Sequence, residues 1–133
     1  MARVIRIEQR ILKRNSEVAA ENRRAFDARG TYVVTLGSSP GSGKTSLLEK
    51  ALAILREEVS VGVIEGDVQT DNDARRIEAL GVTAVQVVTN GTCHLDAQMI
   101  QAALDQADLG SVELLFIENV GNLVCPASYD LGE

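Results

Sequence analysis

Residues 38–45 read Ser-Ser-Pro-Gly-Ser-Gly-Lys-Thr and combine small, flexible residues with one lysine. Glycines let backbone N–H groups turn inward around an anion, and the N-terminus of a following helix adds the positive end of its dipole. In such a phosphate-binding loop, Lys44 reaches the β- and γ-phosphates and the Thr45 hydroxyl binds Mg²⁺. We therefore expect a nucleotide to be bound by Ser39, Pro40, Gly41, Ser42, Gly43, Lys44, Thr45 and Ser46.

The loop departs at one position from the G-x-x-x-x-G-K-[ST] pattern of phosphate-binding loops. Ser38 stands where the first glycine is expected, and Gly37 comes one residue too early to replace it. A small residue serves at this position, so we keep the phosphate-binding interpretation over a chance Gly-rich turn.

Two acidic residues follow apolar runs further along the chain and are candidates for holding Mg²⁺. Asp67 comes just after the run 59–64, and Glu118 ends the run 112–117. The carboxyl ends of neighbouring parallel strands are where α/β proteins bind ligands. Gly121, three residues after Glu118, matches a switch in which a glycine N–H senses the γ-phosphate. The alternative for either acid alone is a solvated loop carboxylate.

Cys93, His94 and Cys125 supply thiol and imidazole groups, which are good ligands for zinc and nickel. A helix is predicted to begin at Thr92 or Cys93, where its dipole would lower the pKa of the thiol. Three ligands leave a tetrahedral ion one short, so a second subunit or a water would complete it. From spacing alone, two buried thiols are the more common interpretation of such cysteines in a cytosolic chain.

Apolar runs alternate with helix-favouring stretches, as they must to position these groups. Strands are predicted over 31–36, 59–64, 83–88 and 112–117, and helices over 44–57, 71–80 and 95–107. Strict alternation predicts a doubly wound α/β fold with a mainly parallel sheet. Such folds usually hold more strands, so we expect the C-terminal strands to be missing. The predicted domains are an N-terminal helix (1–30) and a partial P-loop domain (31–133).

The N-terminal helix is predicted over 3–29, and Gly30 would end it. Its apolar stripe must be covered by the domain or by a second subunit. The stripe is formed by Val4, Ile5, Ile11, Leu12, Val18, Ala19 and Phe26.

Charge and hydropathy exclude several classes of function. The chain has 133 residues and a net charge of −6; residues 1–29 carry eight basic and four acidic side chains, and the rest carries five and fifteen. An acidic body argues against nucleic-acid binding, which needs a basic face. No apolar run approaches the roughly 20 residues of a membrane helix, and the first residues are unlike a signal peptide. We expect a cytoplasmic protein without a membrane partner.

Four segments together resemble the HypB family, GTPases that help to insert nickel into [NiFe]-hydrogenase. They are SSPGSGKTSLLEKAL, VIEGDVQTDNDARRI, GTCHLDAQMI and LLFIENVGNLVCPASYDLGE, and the similarity runs from about Asn22 to the last residue. The related UreG GTPases share the style of the phosphate-binding loop, but we do not expect their metal motif to combine Gly-Thr-Cys-His with Val-Cys-Pro.

The resemblance implies a GTPase with slow hydrolysis and a metal site at a nucleotide-dependent dimer interface. Cys93, His94 and Cys125 would bind Ni²⁺ or Zn²⁺, and Lys44, Asp67 and Glu118 would serve hydrolysis. Thr45, Asp67 and Glu118 would hold Mg²⁺. The implied partners are a second copy of the chain, a HypA-like maturation protein and the hydrogenase large subunit.

Two departures from the family limit these expectations. Residues 1–30 contain no Cys or His, so a nickel-storage role is not expected. No Asn-Lys-x-Asp motif for guanine occurs before Glu133, so the preference for GTP over ATP rests on the resemblance. The alternatives are a P-loop phosphotransferase, for which no acceptor pocket or lid is found, and a metal-binding module with a vestigial nucleotide site.

Overall fold

A computed structural model describes residues 7–37, 44–67, 72–89, 91–106, 109, 111–122 and 124–133. Strands and helices alternate in these ranges, as the sequence predicts. The elements are α1 (Ile7–Arg29), β1 (Tyr32–Leu36), α2 (Lys44–Leu55), β2 (Val61–Asp67), α3 (Asn72–Glu78), β3 (Thr83–Val88), α4 (Ala97–Gln106), β4 (Leu114–Glu118) and a short 3₁₀ turn (Pro126–Ser128).

The four strands form one sheet in the order β1-β4-β2-β3, and every pair is parallel. β4 therefore lies between β1 and β2, with Phe116 opposite Val34 on one side and Val63 on the other. Parallel strands deliver the loops at their carboxyl ends to a single edge of the sheet. The parallel α/β prediction is confirmed.

Helices cover both faces of the sheet. Successive strand residues point to opposite sides, so both faces carry apolar side chains that must be covered. On one face, Phe26 of α1 and Ile100 of α4 pack in a buried cluster with Leu115 and Ile117 of β4. On the other face, a second cluster joins α2 and α3 to the sheet. It includes Leu48, Leu52, Val63, Ile77 and Phe116. The fold is doubly wound, as predicted.

The start that the sequence predicts for α4 is wrong. α4 begins at Ala97, and the Asp96 carboxylate accepts a hydrogen bond from the N–H of Met99 at 2.9 Å, as an N-terminal cap does. Upstream, the N–H of Leu95 donates to the side chain of Asn119. Because the backbone here bonds to a neighbouring loop, Cys93 lies in a loop, outside the helix dipole invoked for it.

Two predicted strands are also shifted. β2 begins two residues later than predicted and continues through Asp67, while β4 begins at Leu114. Asp67 is thus the last residue of its strand, and Glu118 ends β4 as expected.

Two buried asparagines fasten α1 to the rest of the domain; we call Asn15 and Asn22 the asparagine clasp. Asn22 donates from Nδ2 to the carbonyls of Ala97 and Leu131, both at 3.0 Å. Asn15 accepts from the N–H of Ala97 and donates to the carbonyl of Asp130, both at 2.7 Å. The clasp joins α1 to the start of α4 and to the chain beyond the 3₁₀ turn.

The segment that follows the 3₁₀ turn fits α1 closely. Gly132 has a φ of +102°, and a Cβ there would lie 2.6 Å from the carbonyl oxygen of Ala19, so only glycine fits. Next to it, Arg23 donates to both carboxylate oxygens of Asp130 at 2.9 Å. Burial raises the pKa of Asp130, but the hydrogen bonds from Arg23 and the Gly132 N–H outweigh it and leave that pKa below its ordinary value.

The domain itself covers the C-terminal part of the α1 stripe. Val18, Ala19 and Phe26 are buried, whereas Ile11 remains 50% exposed. Val4 and Ile5 lie outside the described residues. Among the helices that the structure describes, none is both long and apolar enough to cross a bilayer.

We predict that Asn22→Ala lowers the free energy of unfolding of the full-length protein by about 2 kcal/mol, because a side chain only 2% exposed loses two hydrogen bonds and leaves a buried carbonyl unsatisfied. Urea denaturation measures this change. The control is Arg24→Ala on the exposed side of the same helix, expected within about 0.5 kcal/mol of the parent. Equal denaturation midpoints for the two variants would show that the clasp contributes little.

Candidate functional site

The predicted phosphate-binding loop lies between β1 and the N-terminus of α2. β1 ends at Leu36 and α2 begins at Lys44, which is the strand–loop–helix context that such a loop requires. Residues 38–43 fall outside the described part of the chain, which places five predicted phosphate ligands there: Ser39, Pro40, Gly41, Ser42 and Gly43. The side chains of Lys44 and Thr45 are likewise not described, and Ser46 is exposed in the first turn of α2.

The predicted Mg²⁺ acids stand at the carboxyl ends of neighbouring strands. Glu118 is 2% exposed and lies opposite Leu36 of β1 and Glu65 of β2. Asp67 lies two residues beyond Glu65, at the end of β2; only its backbone is described. Buried carboxylates require hydrogen bonds or a cation nearby, and a divalent ion at the carboxyl ends of β1 and β4 would suit the chemistry of Glu118. Glu65, which the sequence did not single out, is fully buried.

Cys93 and Cys125 meet at the same edge of the sheet. They are joined as a disulfide with their Cα atoms 6.0 Å apart, a bond that the sequence did not predict. Cys93 is exposed and Cys125 is half-buried, so the interpretation of two buried thiols is wrong. The loops after β3 and β4 converge here because both strands end at this edge. The three predicted metal ligands are therefore neighbours in space.

His94 completes the cluster, with its Nδ1 4.0 Å from the sulfur of Cys93. This distance is less than the sum of typical zinc–sulfur and zinc–nitrogen bond lengths, about 4.3 Å, so one ion can contact both atoms. As they stand, no three His, Cys, Asp or Glu side chains among the described residues form a group that could hold a metal. Neither cysteine can act as a thiolate until the disulfide is reduced.

An aromatic contact fixes the orientation of the His94 ring. Tyr129 stacks on His94 with ring centroids 3.8 Å apart and an angle of 14° between the planes. Burial lowers the pKa of His94, against an opposing effect of Asp96. A lowered pKa favours the neutral imidazole, which is the form that binds a metal.

Two asparagines in the segment after β4 connect the loops of the site, and sequence reasoning missed both. Asn119 accepts hydrogen bonds from the N–H groups of Leu95 (3.1 Å) and Val120 (2.8 Å). Asn122 donates to the carbonyl of Cys93 and accepts from the N–H of Cys125 at 2.9 Å. Asparagine near glycine is typical of loops held by side chain–backbone bonds, but composition does not identify the partners.

A pocket of about 220 Å³ opens at the carboxyl ends of β1 and β4. Asn119, Asn122 and Tyr129 line it together with Thr35 and Gly37 at the end of β1. The residues that organise the loops around Cys93, His94 and Cys125 therefore line one pocket with Gly37, the residue before the predicted phosphate loop. Gly121, the predicted γ-phosphate sensor, lies in this segment and is half-buried.

Known hydrogenase maturation proteins match nearly the whole chain. The hydrogenase maturation factor HypB of Azotobacter vinelandii is 57% identical over 132 residues, which make up 99% of this chain and 44% of that protein. HypB of Escherichia coli K12 is 54% identical over 131 residues, 98% of this chain and 45% of its own length. The chain thus spans less than half of these relatives.

Solved structures of HypB proteins share the fold. HypB from Helicobacter pylori, crystallised in complex with nickel, superposes with a TM-score of 0.83 at 46% identity and covers 90% of this chain and 56% of that one. HypB from Archaeoglobus fulgidus gives 0.82 at 40% identity, covering 91% and 59%. The family model described as "CobW/HypB/UreG, nucleotide-binding domain" matches residues 32–131. With the strand–loop–helix context and the four-strand parallel sheet, these matches show that the chain belongs to the CobW/HypB/UreG family of P-loop nucleotide-binding domains.

Proposed function

We propose that this chain is the nucleotide-binding part of a GTPase that assists nickel insertion into [NiFe]-hydrogenase. One observation carries the proposal: the Cys93–His94–Cys125 cluster stands at the sheet edge from which the predicted phosphate loop also departs. The HypB relatives and the nickel complex of one of them supply the biological setting. The protein would assist nickel insertion in the cytoplasm.

In this proposal GTP is bound by residues 39–46 and hydrolysed with the help of Lys44, Asp67 and Glu118. Lys44 would neutralise phosphate charge, and the N–H of Gly121 would contact the γ-phosphate. Thr45, Asp67 and Glu118 would hold Mg²⁺, which supplies charge neutralisation for the phosphates when bound. The burial of Glu118 beside the end of β1 supports this assignment.

Nickel is the proposed cargo, and Cys93, His94 and Cys125 would hold it. The neutral imidazole and two thiolates form a soft ligand set suited to Ni²⁺ and also to Zn²⁺. Three ligands leave coordination positions that a second copy of the chain would fill, which links metal binding to dimerisation. A HypA-like protein and the hydrogenase large subunit are the proposed partners in transfer.

Lys44→Ala is predicted to weaken Mg·GTP binding by the full-length protein at least about tenfold, because charge-assisted bonds to phosphate are lost. Calorimetric titration with GTP measures this loss, and phosphate release measures hydrolysis. Lys50→Ala is the matched control, since Lys50 is an exposed lysine of the same helix. Unchanged GTP binding and turnover in the Lys44 variant would remove the GTPase part of the proposal.

The reduced full-length protein is predicted to bind Ni²⁺ with a sulfur-to-nickel charge-transfer band in the near ultraviolet. Cys125→Ala should lose this band and weaken nucleotide-dependent dimerisation. Ser128→Ala, an exposed neighbour in the same loop, should keep both. Affinity should fall below about pH 7, because both thiols must lose their protons, while His94, with its lowered pKa, stays neutral over more of this range.

The double variant Cys93→Ala, Cys125→Ala decides whether the cysteines are ligands. We expect it to lose high-affinity binding of both Ni²⁺ and Zn²⁺. If it bound these ions as tightly as the reduced parent, the metal part of the proposal would be wrong.

A further inference from the structure

The side chain of Asn122 joins the two loops that carry the cysteines. Its Nδ2 donates to the carbonyl oxygen of Cys93, which is 29 residues away in sequence. Its Oδ1 accepts from the N–H groups of Val124 at 3.1 Å and Cys125 at 2.9 Å. One amide therefore holds the backbones of both cysteines, and it is half-buried between them.

These bonds act where the cysteines are brought together. The Cα atoms of Cys93 and Cys125 are 6.0 Å apart, although they belong to the loops after β3 and β4. Asn119 fixes the other end of the Cys93 loop through the N–H of Leu95. Asn119 and Asn122 therefore hold the Cys93 loop at two points, Leu95 and Cys93.

We propose that Asn122 is a positioning residue that sets the spacing of the cysteine pair by holding the two loops that carry it. The consequence for nickel binding rests on the proposed function, whereas the holding of the two cysteines does not. Asn122 contacts no sulfur in this role; it acts through the backbones of Cys93 and Cys125.

Two substitutions separate the halves of the contact. Asn122→Asp keeps an acceptor for the N–H groups of Val124 and Cys125 but cannot donate to the Cys93 carbonyl. Asn122→Ala removes both halves. A structural role confined to the Cys125 loop would leave the Asp variant like the parent, whereas a cross-loop role makes both variants defective.

The first readout needs no metal. In glutathione buffers the disulfide and two glutathione thiols exchange with the dithiol and one glutathione disulfide, and the equilibrium constant reports the effective concentration of the two thiols. For the full-length protein we expect Asn122→Asp and Asn122→Ala to lower the effective concentration of the two thiols by roughly 3- to 10-fold, the equivalent of one hydrogen bond. Ser128→Ala should leave it unchanged, and thermal melts establish that all variants are folded.

The second readout is the charge-transfer band of the reduced protein titrated with Ni²⁺ alone. Both Asn122 variants should need a higher Ni²⁺ concentration to develop the band, by a similar factor. An Asp variant with the parent's effective thiol concentration and the parent's Ni²⁺ affinity would overturn the role of Asn122. A parent that binds no Ni²⁺ would overturn the proposed function, and the glutathione measurement would still decide the inference.

Discussion

β4 lies between β1 and β2 and runs parallel to both, and this arrangement constrains everything at the site. The segment that leaves the carboxyl end of β4 therefore starts between the carboxyl ends of β1 and β2. It follows Glu118, which lies opposite Leu36 at the end of β1, and it carries Cys125 to Cys93. Glu118, the proposed Mg²⁺ ligand, and Cys125, the proposed nickel ligand, therefore lie on one short stretch of chain. Asn119 and Asn122 tie that stretch to the Cys93 loop.

α1 supports this edge through hydrogen bonds to the start of α4 and to the residues after the 3₁₀ turn. The asparagine clasp bonds to Ala97, Asp130 and Leu131, so it holds the start of α4 and the chain that follows Tyr129. Tyr129 in turn stacks on His94. The helix thus supports His94 indirectly, and its apolar stripe is only part of its contribution. Buried polar contacts of this kind are directional, so they fix the position of a loop better than apolar packing does.

The sequence predicted the fold well because its signals are local. Apolar runs and turn residues identify strands and helices, and alternation identifies a parallel sheet. The same reasoning placed α4 too early, because it could not know that the N–H of Leu95 bonds to Asn119. The bonds of Asn15 span 82 and 115 residues, and no local pattern reports such distances.

The candidate site was predicted by type but not by geometry. Cys93, His94 and Cys125 were singled out by residue type and expected to be metal ligands because of the family resemblance, yet the joining of the cysteines as a disulfide depends on two loops meeting in space. Asn122 and Tyr129 carry no chemical signal of their own, since their roles come from what they contact. Residue type in the sequence indicates which groups could bind a metal. Tertiary contacts are needed to identify the residues that position those groups.

The proposed phosphate and metal sites share one edge of the sheet, and we propose that nucleotide binding and metal binding are thermodynamically linked. Titration of the reduced full-length protein with Ni²⁺, in the presence of Mg²⁺ and either GDP or a non-hydrolysable GTP analogue, tests it most directly. Linkage of this kind is typically about 5-fold or more in affinity, and the metal must shift nucleotide affinity by the same factor. We predict Ni²⁺ dissociation constants that differ at least fivefold between the two nucleotides. Equal constants, with both nucleotides bound, would contradict the account.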